Sequence, residues 1–111
     1  MPQATYIQVG DSVDYTPVAA VAAGDVVVQG ELVGVTKLPI EAGRLGALAV
    51  SGVFDFAKAT SVGSALAAGA NAYWDNTNKV ATATVGSNKL IGKVVRAAAD
   101  ADATVRVRLN Q

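Results

Sequence analysis

Asp25-Val26-Val27-Val28-Gln29, then Gly30, then Glu31-Leu32-Val33-Gly34-Val35-Thr36 is the stretch that decides the fold class. β-Branched residues suit a pleated, half-buried surface and glycine supplies turn geometry, so these residues read as two strands folded about Gly30. The same texture continues in both directions. Eighteen Val and eleven Gly are spread along the 111 residues, which predicts further strands joined by tight turns. Toward the N-terminus, 6–9 ends at Gly10-Asp11, and 13–18 contains Pro17, which has no amide proton for a ladder and belongs on an edge or at a strand end. Toward the C-terminus, 47–56 reads as one strand whose apolar positions Leu48, Val50 and Val53 change phase at Gly52, the signature of a bulge. Residues 70–75 and 79–84 flank the turn Asn76-Thr77-Asn78 as a hairpin, and 90–96 and 104–109 complete the set.

Alanine has the highest helix propensity, yet 18–23 is cut off by Gly24 after too few residues to nucleate, and 96–103 has no apolar stripe beyond alanine itself. Residues 61–68 are the one candidate for a short helical turn, closed at Gly69 as a C-cap closes one. The chain is read as a single all-β domain over 1–111, a small β-barrel or β-sandwich of about seven to nine strands with at most one helical turn. Within it, 1–16 is an N-terminal arm or an edge hairpin. An internal echo points to two related β units. Ala22-Ala23-Gly24-Asp25 is answered by Ala67-Ala68-Gly69-Ala70, Glu31-Leu32-Val33-Gly34-Val35 by Lys89-Leu90-Ile91-Gly92-Lys93, and Ala47-Leu48-Ala49-Val50 by Val105-Arg106-Val107-Arg108. The offset grows between the first match and the second, which locates an enlarged turn at the 74–84 hairpin.

Composition narrows the chemistry. Nine Lys plus Arg balance nine Asp plus Glu, so the chain lacks the basic excess that neutralises phosphates, and no nucleic acid is expected as partner. No membrane is expected either: Met1-Pro2-Gln3-Ala4-Thr5-Tyr6 has no basic leader character, and 18–23 is too short to span a bilayer. Without His or Cys, the commonest general base, the thiolate nucleophile and the usual zinc ligands are missing. Of the hydrophobic residues 22 are Ala and only 35 are larger, a thin core that self-association would supplement.

The remaining candidates read as loops and surface. Asp11 and Asp14 sit beside a glycine turn, and Asp100-Ala101-Asp102 lacks the rest of a calcium loop. Gly43-Arg44-Leu45-Gly46 and Gly86-Ser87-Asn88-Lys89 lack the spacing of a phosphate cradle. The serines have no histidine to activate them, and Lys58 and Lys93 read as surface charges. No catalytic, cofactor-binding or metal-binding residues are assigned, no cofactor is expected, and the chain is not read as an enzyme. Arg106 and Arg108 are more informative, because on a strand they share one face while Val105, Val107 and Leu109 share the other. Their outward face is either a solvated surface or a contact for acidic groups on a partner protein. Tyr73-Trp74 divides the same way, with Trp74 assigned to the core and Tyr73 to a contact.

Ala4-Thr5-Tyr6-Ile7-Gln8, Asp14-Tyr15-Thr16-Pro17, Val21-Ala22-Ala23-Gly24-Asp25-Val26-Val27, Leu32-Val33-Gly34-Val35, Gly46-Ala47-Leu48-Ala49-Val50-Ser51-Gly52-Val53-Phe54-Asp55 and Val105-Arg106-Val107-Arg108-Leu109-Asn110, in that order and spacing, resemble the tailed-phage capsid cement, or head decoration, protein family. The resemblance implies a non-enzymatic virion protein, made in the host cytoplasm, that binds the outer surface of the assembled head and stabilises the lattice of its partner, the major capsid protein. It also implies a homo-oligomer, with a trimer favoured over a dimer. Exposure logic alone offers Tyr6, Tyr15, Tyr73, Arg106 and Arg108 as capsid or subunit contacts, and 3–15 as a segment that adds backbone hydrogen bonds to a strand of the shell. The alternative is a small β-barrel ligand-binding or accessory module of a cellular enzyme, with a pocket in place of a protein-binding face.

Overall fold

The computed structural model describes residues 3–4 and 10–110. Their strands are β1 (Ser12–Tyr15), β2 (Val26–Gln29), β3 (Leu32–Val35), β4 (Gly46–Ala49), β5 (Gly52–Ala57), β6 (Asn71–Asp75), β7 (Val80–Thr82), β8 (Lys89–Arg96) and β9 (Thr104–Leu109), and no described residue is helical. The strands form two antiparallel sheets, one ordered β1-β4-β3-β2 and one ordered β5-β9-β8-β6-β7.

Local sequence accounts for most of this. The β2–β3 hairpin turns at Gly30, whose φ of 60° is open to glycine at no steric cost. The β6–β7 hairpin is tied by Asp75, whose carboxylate accepts from the backbone N–H groups of Thr77 and Asn78, with Lys79 taking up the left-handed conformation. In β9 the alternation is complete: Val105, Val107 and Leu109 are buried and Thr104, Arg106 and Arg108 are exposed. Those three meet Phe56, Leu66, Trp74, Ile91 and Val94 in the main core, to which the four-stranded sheet contributes Val35, with Val26 and Val28 packed against it. Tilted contacts of Phe56 with Trp74, at 6.0 Å between ring centroids, and with Phe54, at 6.3 Å, fill its centre.

Two expectations are corrected. Residues 47–56 are not one bulged strand: β4 belongs to the first sheet and β5 to the second, and the phase change is a crossing between sheets, made where Gly52 takes a φ of 123°. Residues 61–68 form no helix: Ser64 N–H closes a single turn on Ser61 O, and Leu66 then bridges to Ala98. The choice between barrel and sandwich resolves to two open sheets. The five-stranded sheet curls until Lys58, just past β5, forms one parallel bridge with Ala81 of β7, and it does not close. The strand expected over 6–9 lies outside the described residues; among the described strands β1 stands at one end of its sheet, paired with β4, and the buried Pro17 follows it.

The internal echo is built into the hydrogen bonding. Val21 and Ile40 exchange both backbone hydrogen bonds, as do Leu66 and Ala98. Gly24 N–H donates to Thr36 O and Thr36 N–H to Asp25 O; Gly69 N–H donates to Val94 O and Val94 N–H to Ala70 O. Even the small turns recur, with Asp25 N–H to Ala22 O matched by Ala70 N–H to Ala67 O, and Arg44 N–H to Glu41 O by Asp102 N–H to Ala99 O. Counterparts that fall before the 74–84 hairpin lie 45 positions on, as Leu66 does from Val21, and those beyond it 58 positions on, as Ala98 does from Ile40. The inserted residues supply β7, so β1-β4-β3-β2 and β5-β9-β8-β6 are one plan used twice.

Candidate contact surface

Because Val105, Val107 and Leu109 point inward, β9 turns Arg106 and Arg108 to the outer face of the five-stranded sheet. The register extends this face. Arg108 stands opposite Val53 of β5 on one side and Lys93 of β8 on the other, and Arg106 stands between Asp55 and Arg96. On β6, Trp74 enters the core, where its indole N–H donates to Asn76 Oδ1 at 3.2 Å, and Tyr73 therefore faces outward, its hydroxyl in contact with Asn71 Nδ2 at 3.5 Å. Three of the residues expected as contacts, Tyr73, Arg106 and Arg108, thus share one face. Tyr15 is separate, half-buried at the end of β1 in the other sheet, and Tyr6 lies outside the described residues.

The face is electrostatically uneven. Arg106 donates to Asp55 through two parallel bonds, Nε to Oδ1 at 2.9 Å and Nη2 to Oδ2 at 3.2 Å. That hydrogen bonding holds the Asp55 carboxyl below its usual range and raises the guanidinium further. Both side chains are about half exposed, so solvent screens the pair and it contributes little to stability. Lys93 Nζ donates to the neutral Asn71 Oδ1. Arg96 and Arg108 make no ion pair among the described residues. Lys93 and Arg96 escaped notice as members of this set because only the β8–β9 pairing, which sequence does not print, sets them beside Arg108 and Arg106.

Lys58 is a correction. It is 4% exposed, not a surface charge, and its ammonium donates to Ala59 O at 2.6 Å, Ser64 Oγ at 2.9 Å and Asp100 O at 3.1 Å. Its three donors are matched by three neutral acceptors, which tie the end of β5 to the loops at 61–64 and 98–102. Sequence held a signal for this: period two places Lys58 on the inward side with Phe54 and Phe56. The cage has no carboxylate and no opening toward a substrate, so it acts as a structural strut.

Two clefts flank the sheets. One, of about 650 Å³, is lined by Lys37, Leu38, Ile40 and Leu45 beside β1, and one, of about 620 Å³, opens between β2 and β5 onto Val26, Phe54 and Trp74. The first also carries Ser12, Glu41 and Arg44 and the second Asp25, Asp55 and Lys79, and a third, of about 300 Å³, is lined by Asp55, Arg96, Asp102, Thr104 and Arg106. Among the described residues no three acidic side chains come close enough together to hold a metal ion.

Against known sequences, the profile of the family described as phage cement protein matches residues 7–109, a span that takes in both sheets and every strand. No curated protein and no solved structure matches the chain. An all-β domain with two sheets on one plan, a charged outer face and a near end-to-end family match lead to one assignment: the chain belongs to the phage cement protein family, whose members are structural components of the phage capsid.

Proposed function

We propose that this protein decorates the outer surface of the assembled phage head and stabilises the lattice of the major capsid protein, without enzymatic activity. The observation that carries the reading is the family match over 7–109, which makes the whole described fold, not an appendage of it, the cement unit. The physical features agree. A thin core gains from docking on neighbours, and a shell offers many equivalent sites, so a trimer that engages several at once converts modest contacts into firm attachment. In this reading the 3–15 segment adds backbone hydrogen bonds to a strand of the shell, with Tyr15 as a contact, and Tyr73 and Arg108 serve as an aromatic and a charged anchor on the other sheet.

The test uses undecorated heads of the phage that encodes the protein. Purified protein should cosediment with them to saturation and raise the temperature at which they release DNA. Saturable binding without any gain in heat resistance would remove stabilisation from the proposal, and absence of binding would remove decoration itself. Deleting 2–9 should weaken attachment while leaving the melting of the domain unchanged; full binding by that variant excludes the N-terminal segment from the grip.

A further inference from the structure

Lys93 is paired with Arg108, and Arg96 with Arg106, directly across the β8–β9 ladder. Like charges so placed destabilise a sheet; among the described residues only Arg106 of the four is hydrogen-bonded to a carboxylate, that of Asp55, which also feels the charge of Arg96. A net charge of zero conceals the imbalance. Residues 1–50 contain five acids and two cations, whereas 51–111 contain four acids and seven cations.

At the 58-residue offset that relates the two sheets, Lys93, Arg96, Arg106 and Arg108 correspond to Val35, Leu38, Leu48 and Val50; Val35 and Leu48 are buried, so the second unit turns to solvent positions that the first unit covers. An exposed sheet face needs polarity, but a mixture of signs supplies that without repulsion. Nor does the chain offer the missing anions. Glu31 and Glu41 are paired with Lys89 and Arg44. Asp25, Asp75 and Asp102 accept from backbone N–H groups of their own loops, and Asp100 accepts from Ala65 N–H. Only Asp11 and Asp14 remain, on the other sheet.

We infer that the outer face of the five-stranded sheet, centred on Lys93, Arg96 and Arg108 and flanked by Tyr73, is the surface that meets the shell, and that its counterpart there is a cluster of Asp and Glu side chains. The inference rests on the cement role proposed above and assigns the face that performs it. Neighbouring strands and alternate residues set the cations on a grid of roughly 5 by 7 Å, suited to two or three carboxylates presented together by another protein. Guanidinium groups take carboxylates in a planar, bidentate fashion, which fixes orientation as well as affinity. A protein surface is favoured over a nucleic acid because Asp55 lies within the face and a chain of zero net charge exerts no long-range pull on a polyanion.

The experiment compares the wild-type chain with K93Q, R96Q, R108Q, the triple variant and a distant control, K37Q, for binding to undecorated heads. Each of the three single variants should bind about tenfold more weakly and the triple variant beyond detection, with K37Q unchanged. Raising salt from about 0.05 to about 0.5 M should weaken the wild type steeply and R96Q/R108Q less. Melting temperatures of the neutral variants should be equal to or above the wild type, since repulsion has been removed; loss of binding alongside a gain in stability is not what a misfolded variant shows. Equal binding by wild type and triple variant overturns this face while leaving decoration intact, and a wild type that leaves the heads bare overturns both. If the variants keep their hold on heads and instead lose retention on heparin or duplex DNA, the face belongs to a nucleic acid and the inference fails.

Discussion

Replacing Lys58 by methionine separates the charge of this side chain from its bulk. In the wild type the aliphatic stem is buried and the ammonium holds Ala59 O, Ser64 Oγ and Asp100 O at 2.6, 2.9 and 3.1 Å. Methionine keeps most of the stem volume and removes all three bonds. The neighbours are not equally stranded: the Ser64 hydroxyl keeps its single proton for the Ser61 carbonyl at 2.5 Å, whereas the carbonyls of Ala59 and Asp100 lose the ammonium. An unsatisfied buried carbonyl costs about 1–3 kcal/mol, and relief of the ammonium's desolvation offsets part of the lost bonding, which leaves K58M destabilised by about 2 kcal/mol. K58A also empties the space of three methylenes at roughly 0.8 kcal/mol each, for a total of about 4 kcal/mol. At roughly 0.23 kcal/mol per kelvin for a chain of this length, the melting temperature should fall by about 9 °C and about 17 °C respectively. Calorimetry or circular dichroism melts read both values directly. A K58M protein as stable as the wild type would show that the ammonium's desolvation cancels its three bonds, and would refute the strut.

Other residues give sharper or simpler tests. G92A should be the most damaging small substitution, because a Cβ there would lie 1.9 Å from the backbone oxygen of Arg108 and the β8–β9 ladder must part to admit it; a loss of about 3 kcal/mol in urea titration is expected, and less than 1 kcal/mol would contradict the close approach. T36V removes a fully buried hydroxyl that donates to Ala22 O at 2.6 Å and accepts from Asp25 N–H at 3.0 Å, at a cost of about 1–2 kcal/mol by thermal melt, although valine occupies the corresponding position 94. Asp55 and Asp75 are both held below the usual carboxylate range, Asp55 by Arg106 and Asp75 by the backbone and side chain of Asn78. Groups with lowered folded values contribute fully above their unfolded value near about 4 and lose that contribution as the pH falls through the folded value. D55N and D75N should therefore be less stable than the wild type at neutral pH, converge with it in acid, and show a flatter acid limb in melts taken as a function of pH.

Much of the architecture could be read from residue order, and the failures have identifiable causes. Gly30 lies between two Val-rich runs, and the Asn76-Thr77-Asn78 turn between the aromatic pair Tyr73-Trp74 and the Val80–Thr82 run, so both hairpins were legible from local chemistry alone. The repeat was legible as well, since Ala22-Ala23-Gly24-Asp25 and Ala67-Ala68-Gly69-Ala70 make the same turn hydrogen bond. The 47–56 stretch failed because a glycine that lets a strand bulge also lets it leave one sheet for another, and only the partners of β4 and β5 distinguish the two. Residues 61–68 failed because the Leu66–Ala98 bridge spans more than thirty residues and overrides alanine's local preference. Of the contact surface, Arg106 and Arg108 announced themselves by alternation. Lys93 and Arg96 acquire meaning only through register, and balanced composition concealed a strongly one-sided face.

The seams within the two sheets differ in length. In the first unit β3 and β4 are joined at the single pair Val35–Ala49, whereas in the second β8 and β9 share four pairs and β5 and β9 share six. Ser51 and Val50 are all that lies between β4 and β5, so tension passing along the chain meets a compliant spring in series with a rigid one. In the proposed cement role, strain from a head beneath the molecule would open the β3–β4 seam first, and the stiff unit would keep its shape while the soft one absorbs the travel.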